Sequence, residues 1–312
     1  MRSSSNHAAV PPLGERLAGR FELEAYAASG ASALVFRARD LHSGERVAVK
    51  YWWGTRPVQA ERSTVEAEAL AAVSHPGVVG YVAHGTTAAG IPFLAMPWIE
   101  GETLSERLRG PGLTPSECLV LAERISSGLA ALHAQGFVHR DLKPSNILLP
   151  GGRVEDACIV DLGVARAERS QLDLTADGAY VGTPRYMAPE QIRAPQKASG
   201  ASDVFSLGCI LYEALTGVPA YDAAEMFAVL AQILFEPAPH PRRRRRELPL
   251  ALDQLVASML SRRPANRPQA GEALNEKLRA LRVSVERLGP PPQREPAAVS
   301  GDPTACSGVR SR

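Results

Sequence analysis

The chain of 312 residues has only 4 cysteines, and Cys118, Cys158, Cys209 and Cys306 stand far apart, with no CxxC pair. That scatter excludes a disulfide framework and a thiolate metal site, leaving small core or tail residues. Aromatic residues are scarce at 5%. No apolar run reaches the roughly 18 to 20 residues of a spanning helix; the most apolar stretch, 204–215, is short and contains Glu213. Residues 1–16 lack an apolar segment of signal-peptide length, so the expected location is cytoplasmic, without membrane contact. No repeat of fixed period is visible. A net charge of +2 gives no general attraction to polyanions, and nucleic acid is not an expected partner.

What is present is the 45% apolar content of a globular protein, arranged in two halves. Residues 21–26, 34–39 and 46–53 have strand-like content, and Ser43-Gly44 turns the chain between the last two. Residues 57–74 read as a helix with Val65, Ala69, Leu70 and Val73 near one face, stopped by His75-Pro76-Gly77. Two further strands are predicted over 78–84 and 91–96. After Gly101 the pattern turns helical. Thr114 as cap, Pro115 at the first position and Glu117 three residues after the cap open a helix that runs to about Ala134. Helical patterns follow over 201–215, 223–235, 251–260 and 269–283, and from Gly289 the chain is rich in proline and polar residues.

The chemistry concentrates in His139-Arg140-Asp141-Leu142-Lys143-Pro144-Ser145-Asn146, followed at a short interval by Asp161-Leu162-Gly163. Phosphoryl transfer needs one carboxylate to orient the attacking hydroxyl, and a second carboxylate with a carbonyl ligand to hold a divalent ion on the phosphates. Asp141, Asp161 and Asn146 supply that set. The segment 139–146 resembles the catalytic loop of the protein kinase superfamily, specifically the bacterial eukaryotic-like serine/threonine kinases. The resemblance continues in order through Val47-Ala48-Val49-Lys50, Glu66, Gly182-Thr183-Pro184, Ala188-Pro189-Glu190, Asp203 and Arg267. Each string alone is weak, and their order and spacing carry the weight.

The resemblance implies an α+β, two-lobed protein kinase fold, with a small β-rich lobe carrying one main helix and a larger helical lobe. It places the domain at 20–284, with the first lobe at 20–97, the hinge at 97–101 and the second lobe at 102–284. Residues 1–19 and 285–312 are then expected to be a disordered head and tail. ATP and Mg2+ are the implied cofactors, with Mn2+ as a substitute, and protein substrates are the implied partners. Lys50, paired with Glu66, would contact phosphates, Asn146 and Asp161 would hold the metal, Asp141 would orient the hydroxyl, and Lys143 would steady the transferred group. Val35, Ala48 and Leu148 match the residues around adenine, with Met96, Pro97 and Ile99 along the hinge. Pro97 keeps its carbonyl and loses only an N–H.

Ala28, Gly30 and Ala33 stand where the family usually has three glycines over the phosphates. The expectation is a working but looser lid, with each alanine costing on the order of 1 kcal/mol if its backbone needs positive φ. Arg140 marks kinases whose activation segment is ordered by a phosphate. Thr175 aligns with an activating phosphothreonine, Asp177 with the second common phosphosite, and Thr183 with a threonine that contacts Asp141 and Lys143. A transient homodimer for phosphorylation in trans is an arrangement the resemblance allows. Arg242 to Arg246 read as a solvated loop more than a docking site. The alternative function is a nucleotide-binding pseudokinase scaffold, suggested by the thinned glycine loop.

Overall fold

A computed structural model describes residues 10–30, 33–52, 57–163 and 184–291. The first lobe is an antiparallel sheet of β1 (Arg16–Leu17), β2 (Phe21–Ser29), β3 (Ala33–Asp40), β4 (Arg46–Trp52), β5 (Ala83–Thr86) and β6 (Pro92–Pro97), in the order β1-β2-β3-β4-β6-β5. Alternation along the strands sends Phe21, Leu23, Phe36, Val47, Val49 and Phe93 into a core on one face. The rings of Phe21 and Phe93 meet edge-on, with centroids 5.8 Å apart. Helix α1 (Pro57–Ala72) packs against β5 and β6, with Ala67, Ala69 and Leu70 buried.

The second lobe holds α2 (Leu104–Arg109), α3 (Pro115–Ala134), α4 (Pro189–Arg193), α5 (Gly200–Thr216), α6 (Met226–Phe235), α7 (Leu250–Met259) and α8 (Glu272–Arg282). Helix α5 contains the apolar stretch that is too short for a membrane span. It is apolar nearly all round because it is buried nearly all round, packed against α3 and α7. Among the described residues no helix is long and apolar enough to cross a membrane. A second core runs without a break from Leu70, Leu94 and Met96 beneath the sheet to Ile125, Phe205 and Leu278 in the helical lobe.

A small sheet of β7 (Gly101–Thr103), β8 (Ile147–Pro150) and β9 (Cys158–Ile159) lies where the two lobes meet. The sequence pattern did not predict it, because strands this short show no period. Its function is positional: β8 begins directly after Asn146, and β9 ends two residues before Asp161. Backbone bonds from Ile159 N–H to the Gly77 carbonyl (3.0 Å) and from Val79 N–H to the Ile159 carbonyl (2.8 Å) tie it to the segment behind α1.

Three expectations need correction. The ordered lobe begins before residue 20, since Leu17 in β1 pairs with Phe21 and is buried. The chain also stays packed beyond 284: Val285 and Pro291 are buried, and the Gly289 carbonyl accepts from Arg245 Nη2 at 2.5 Å. Within the arginine run, Arg245 is not a solvated loop residue. It is only 6% exposed, and it also binds the Leu215 carbonyl and Glu247, joining the end of α5 to residue 289. Arg242, Arg243, Arg244 and Arg246 are exposed.

Candidate active site

Strand β4 delivers Lys50 to the inner face of the sheet, and α1 delivers Glu66 opposite it. Lys50 Nζ lies 2.8 Å from both Glu66 carboxylate oxygens and 2.5 Å from Asp161 Oδ1. Burial pulls the Lys50 ammonium down, but the charges of Asp161 and Glu66 outweigh it and hold its pKa above the ordinary lysine value. Trp52, two residues along β4, sets its ring 5.0 Å from Nζ, so one face of the ammonium rests on an aromatic.

The loop between α3 and β8 is shaped by one buried acid. Asp203, at the start of α5 and fully buried, accepts the backbone N–H groups of His139 (2.9 Å) and Arg140 (2.8 Å), and its Oδ2 lies 2.8 Å from His133 Nε2. Those bonds hold Arg140 at φ +68, a region that a side chain enters only where neighbours impose it. Gln191 of α4 donates to the Arg140 carbonyl at 2.9 Å from the other side. The turn brings Asp141 into the cleft, where Lys143 Nζ donates to its Oδ2 at 2.9 Å. Asn146 Nδ2 donates to the Asp141 carbonyl at 2.9 Å, which commits the amide nitrogen and turns its oxygen away from that bond.

All of Lys50, Glu66, Asp141, Lys143, Asn146 and Asp161 line one cleft of about 580 Å³. Ala28, Gly30, Ala33, Val35, Ala48, Met96, Pro97, Ile99 and Leu148 line the same cleft. The Trp98 N–H goes to the Arg46 carbonyl at 3.2 Å, and Trp98 lines the cleft together with Pro97 and Ile99. Trp52 and Val160 also line it and were not singled out from sequence; for Trp52 the signal was its place two residues after Lys50 on one strand face. Thr175, Asp177 and Thr183 lie outside the described residues.

The lid differs from the expectation. Among the described residues only Ala18 and Arg140 are non-glycine residues at positive φ. Ala28 pairs with Val35 and Ala33 with Trp52 as ordinary ladder residues, and a Cβ on Gly30 would meet the Ala33 carbonyl at an unstrained 3.5 Å. The cost expected for alanine here therefore does not arise in this conformation.

A divalent cation fits the donor set by chemistry. Asp161 offers a carboxylate that is 44% exposed, and Asn146 offers the amide oxygen left by its bond to Asp141. Both are hard oxygen donors, and two protein ligands suit Mg2+, which completes its shell with phosphate oxygens and water.

A β-sheet lobe above a helical lobe, with lysine, carboxylates and an amide gathered in the cleft between, defines a nucleotide-dependent phosphotransferase architecture. The protein kinase domain family model matches residues 22–278, and the chain belongs to that family. It is 32% identical over 294 residues to the serine/threonine-protein kinase pkn3 of Myxococcus xanthus, covering 90% of this chain and 53% of that protein. It is 36% identical over 269 residues to the DNA damage-responsive serine/threonine-protein kinase RqkA of Deinococcus radiodurans, covering 84% and 39%. For the serine/threonine-protein kinase PknA of Mycobacterium tuberculosis the figures are 33% over 309 residues, 95% and 70%. The chain thus spans about half or less of the first two relatives. The Mycobacterium tuberculosis PknI kinase domain shares the fold with a TM-score of 0.67 at 21% identity, covering 88% of this chain and 100% of that one. The crystal structure of Rad53 1-466 in complex with AMP-PNP gives 0.68 at 25% identity, covering 83% and 65%.

Proposed function

We propose that the protein transfers the γ-phosphoryl group of ATP, with Mg2+, to serine and threonine hydroxyls of proteins, its own activation segment (161–190) among them. The observation that carries this is the meeting in one cleft of Lys50, Glu66, Asp141 with Asn146, and Asp161, from four separate segments of the chain. The bound metal would supply charge neutralisation on the phosphates. The residues divide the remaining work: Lys50, braced by Glu66, binds phosphate oxygens, while Asp161 and Asn146 present oxygens to the metal. Asp141 accepts the hydroxyl proton at its carboxylate. Lys143, bonded to Oδ2, fixes the orientation of that carboxylate and places a positive charge beside the transferred group.

The pseudokinase reading has no observation in its favour, because Lys50, Asp141 and Asp161 are all present and converge. The regulatory roles of Arg140, Thr175, Asp177 and Thr183, trans-phosphorylation within a transient homodimer, and a kinase domain widened beyond 20–284 to include Leu17 and Val285, belong to the same proposal. The test is incubation of the full chain with Mg-ATP and a peptide mixture offering serine, threonine and tyrosine, followed by phosphoamino-acid analysis and site mapping. Phosphate on serine and threonine, with Thr175 modified, is expected. Phosphate confined to tyrosine, or no incorporation, contradicts the reading.

A further inference from the structure

A second pocket, of about 480 Å³, opens on the helical lobe and is lined by Arg193, Ser261, Arg262, Arg263 and Asn266. It shares no lining residue with the nucleotide cleft. Its lining is three arginines, one serine and one asparagine, with no acidic residue among the described residues that line it.

Two of the guanidiniums are held from behind. Arg193 Nη2 donates to the Leu234 carbonyl at 3.2 Å, and Arg262 Nη1 to the Phe235 carbonyl at 2.8 Å, both at the end of α6 where helix carbonyls lack partners. Capping alone would account for those two bonds. It does not account for the third arginine, nor for the rest of the donors. Each guanidinium carries five N–H groups in a planar fork, so one capping nitrogen leaves the remainder presented in a fixed direction. Arg263 commits only its backbone, its N–H donating to Ser261 Oγ at 3.4 Å and its carbonyl accepting from Asn266 N–H at 3.0 Å, and its guanidinium makes no bond among the described residues. Arg267 and Arg185 are paired with Glu190 and Asp222, whereas Arg193, Arg262 and Arg263 have no carboxylate within ion-pair distance among the described residues.

Beside this cationic cluster lies an apolar edge. Helix α6 has no charged residue from Met226 to Phe235, and Phe235, whose carbonyl Arg262 holds, is 71% exposed. We propose that this surface docks a phosphorylated segment of a partner polypeptide, with the phosphate of a phosphoserine or phosphothreonine among Arg193, Arg262 and Arg263 and a flanking apolar side chain against Phe235. A phosphate dianion offers three acceptor oxygens to converging forks, a closer match than a single carboxylate. The confinement of the charge to one cluster next to an apolar edge fits a peptide. A nucleic acid would use basic residues along a track.

The site adds recognition to the proposed transfer reaction without depending on it, because binding is read in the absence of nucleotide. The experiment is fluorescence anisotropy of the full chain with a short labelled peptide carrying phosphothreonine beside leucine. Its unphosphorylated form, a glutamate form and a single-stranded oligonucleotide serve as competitors. The phosphopeptide is expected to bind at least about tenfold more tightly than the unphosphorylated and glutamate forms. Arg263→Glu, at a side chain that makes no bond among the described residues, should remove that preference with an unchanged melting temperature. Arg193→Gln provides the second variant should the first fail to fold. Equal affinity for the phosphorylated and unphosphorylated peptides, undiminished binding by a folded variant, or stronger competition by the oligonucleotide than by unlabelled phosphopeptide would overturn the inference.

Discussion

Glu66 is buried, and burial pushes its carboxyl up to about 7, with Lys50 opposing the rise and the nearby charge of Asp161 adding to it. As pH falls through about 7 the nucleotide-free protein protonates Glu66 and loses one of the two anions that hold Lys50. The kcat/KM for ATP, which reports groups of the free enzyme, should therefore decline below pH 7; a flat profile from about pH 8 to about pH 5.5 would refute the assignment. The stability linkage runs the other way. The folded chain holds a proton on Glu66 between the ordinary value of 4.5 and about 7, so the stability from that proton is complete below 4.5 and lost as pH rises through about 7. Arg267 is a different kind of buried ion. Its side chain is fully buried, bonded to Glu190 at 2.6 and 2.8 Å and to the Ala201 and Ser261 carbonyls, with its guanidinium 4.9 Å from the Phe205 ring centroid. Arg267→Ala strands Glu190 without its partner and should cost about 3 to 5 kcal/mol in denaturant unfolding. Arg267→Lys should recover only part, because an ammonium cannot reproduce the two-pronged bond.

At the scale of elements, the path from β9 into Asp161 depends on Gly163. A Cβ there would stand 2.6 Å from Asp141 Cβ and 2.8 Å from the His139 carbonyl, so the segment carrying Asp161 would have to back away from the catalytic loop. Gly163→Ala is expected to lower kcat by about 10²-fold, the scale of a displacement near 1 Å. Wild-type turnover together with an unchanged melting temperature would show that the contact is not needed. How far such elements could be read beforehand depended on whether their signals were local. Helix α3 announces both its cap and its first turn, and the structure has Thr114 Oγ1 accepting from Glu117 N–H while Glu117 returns a carboxylate oxygen to Thr114 N–H at 2.7 Å. The predicted strand over 78–84 shrinks to Ala83–Thr86, because Val78 N–H goes to the His75 carbonyl and Val79 N–H to the Ile159 carbonyl, which commits this stretch to a bridge with Ile159. β7, β8 and β9 were illegible for the same reason, since distant pairing and not composition makes them strands. In the cleft, the residues that carry charge were legible from spacing, whereas Trp52 beside Lys50 and Gln191 behind Arg140 act through tertiary contacts that no short string encodes.

Across the whole molecule, two long-range ties set what the cleft can do. The core continuous from Leu94 and Met96 to Phe205 couples the sheet that carries Lys50 to the helix that carries Asp203, and Asp203 in turn shapes the loop of Asp141. Arg245 closes the far side by joining Leu215 to Gly289, which is why the packed chain extends past the last helix. The central claim is that this scaffold presents Asp141 to a substrate hydroxyl beside a bound Mg-nucleotide. The most direct measurement is single-turnover transfer of the γ-phosphate by wild type and Asp141→Asn at equal nucleotide occupancy, with ATP affinity determined separately. The account predicts a loss of about 10³-fold in transfer with nearly unchanged affinity. Transfer by Asp141→Asn within severalfold of wild type would contradict it.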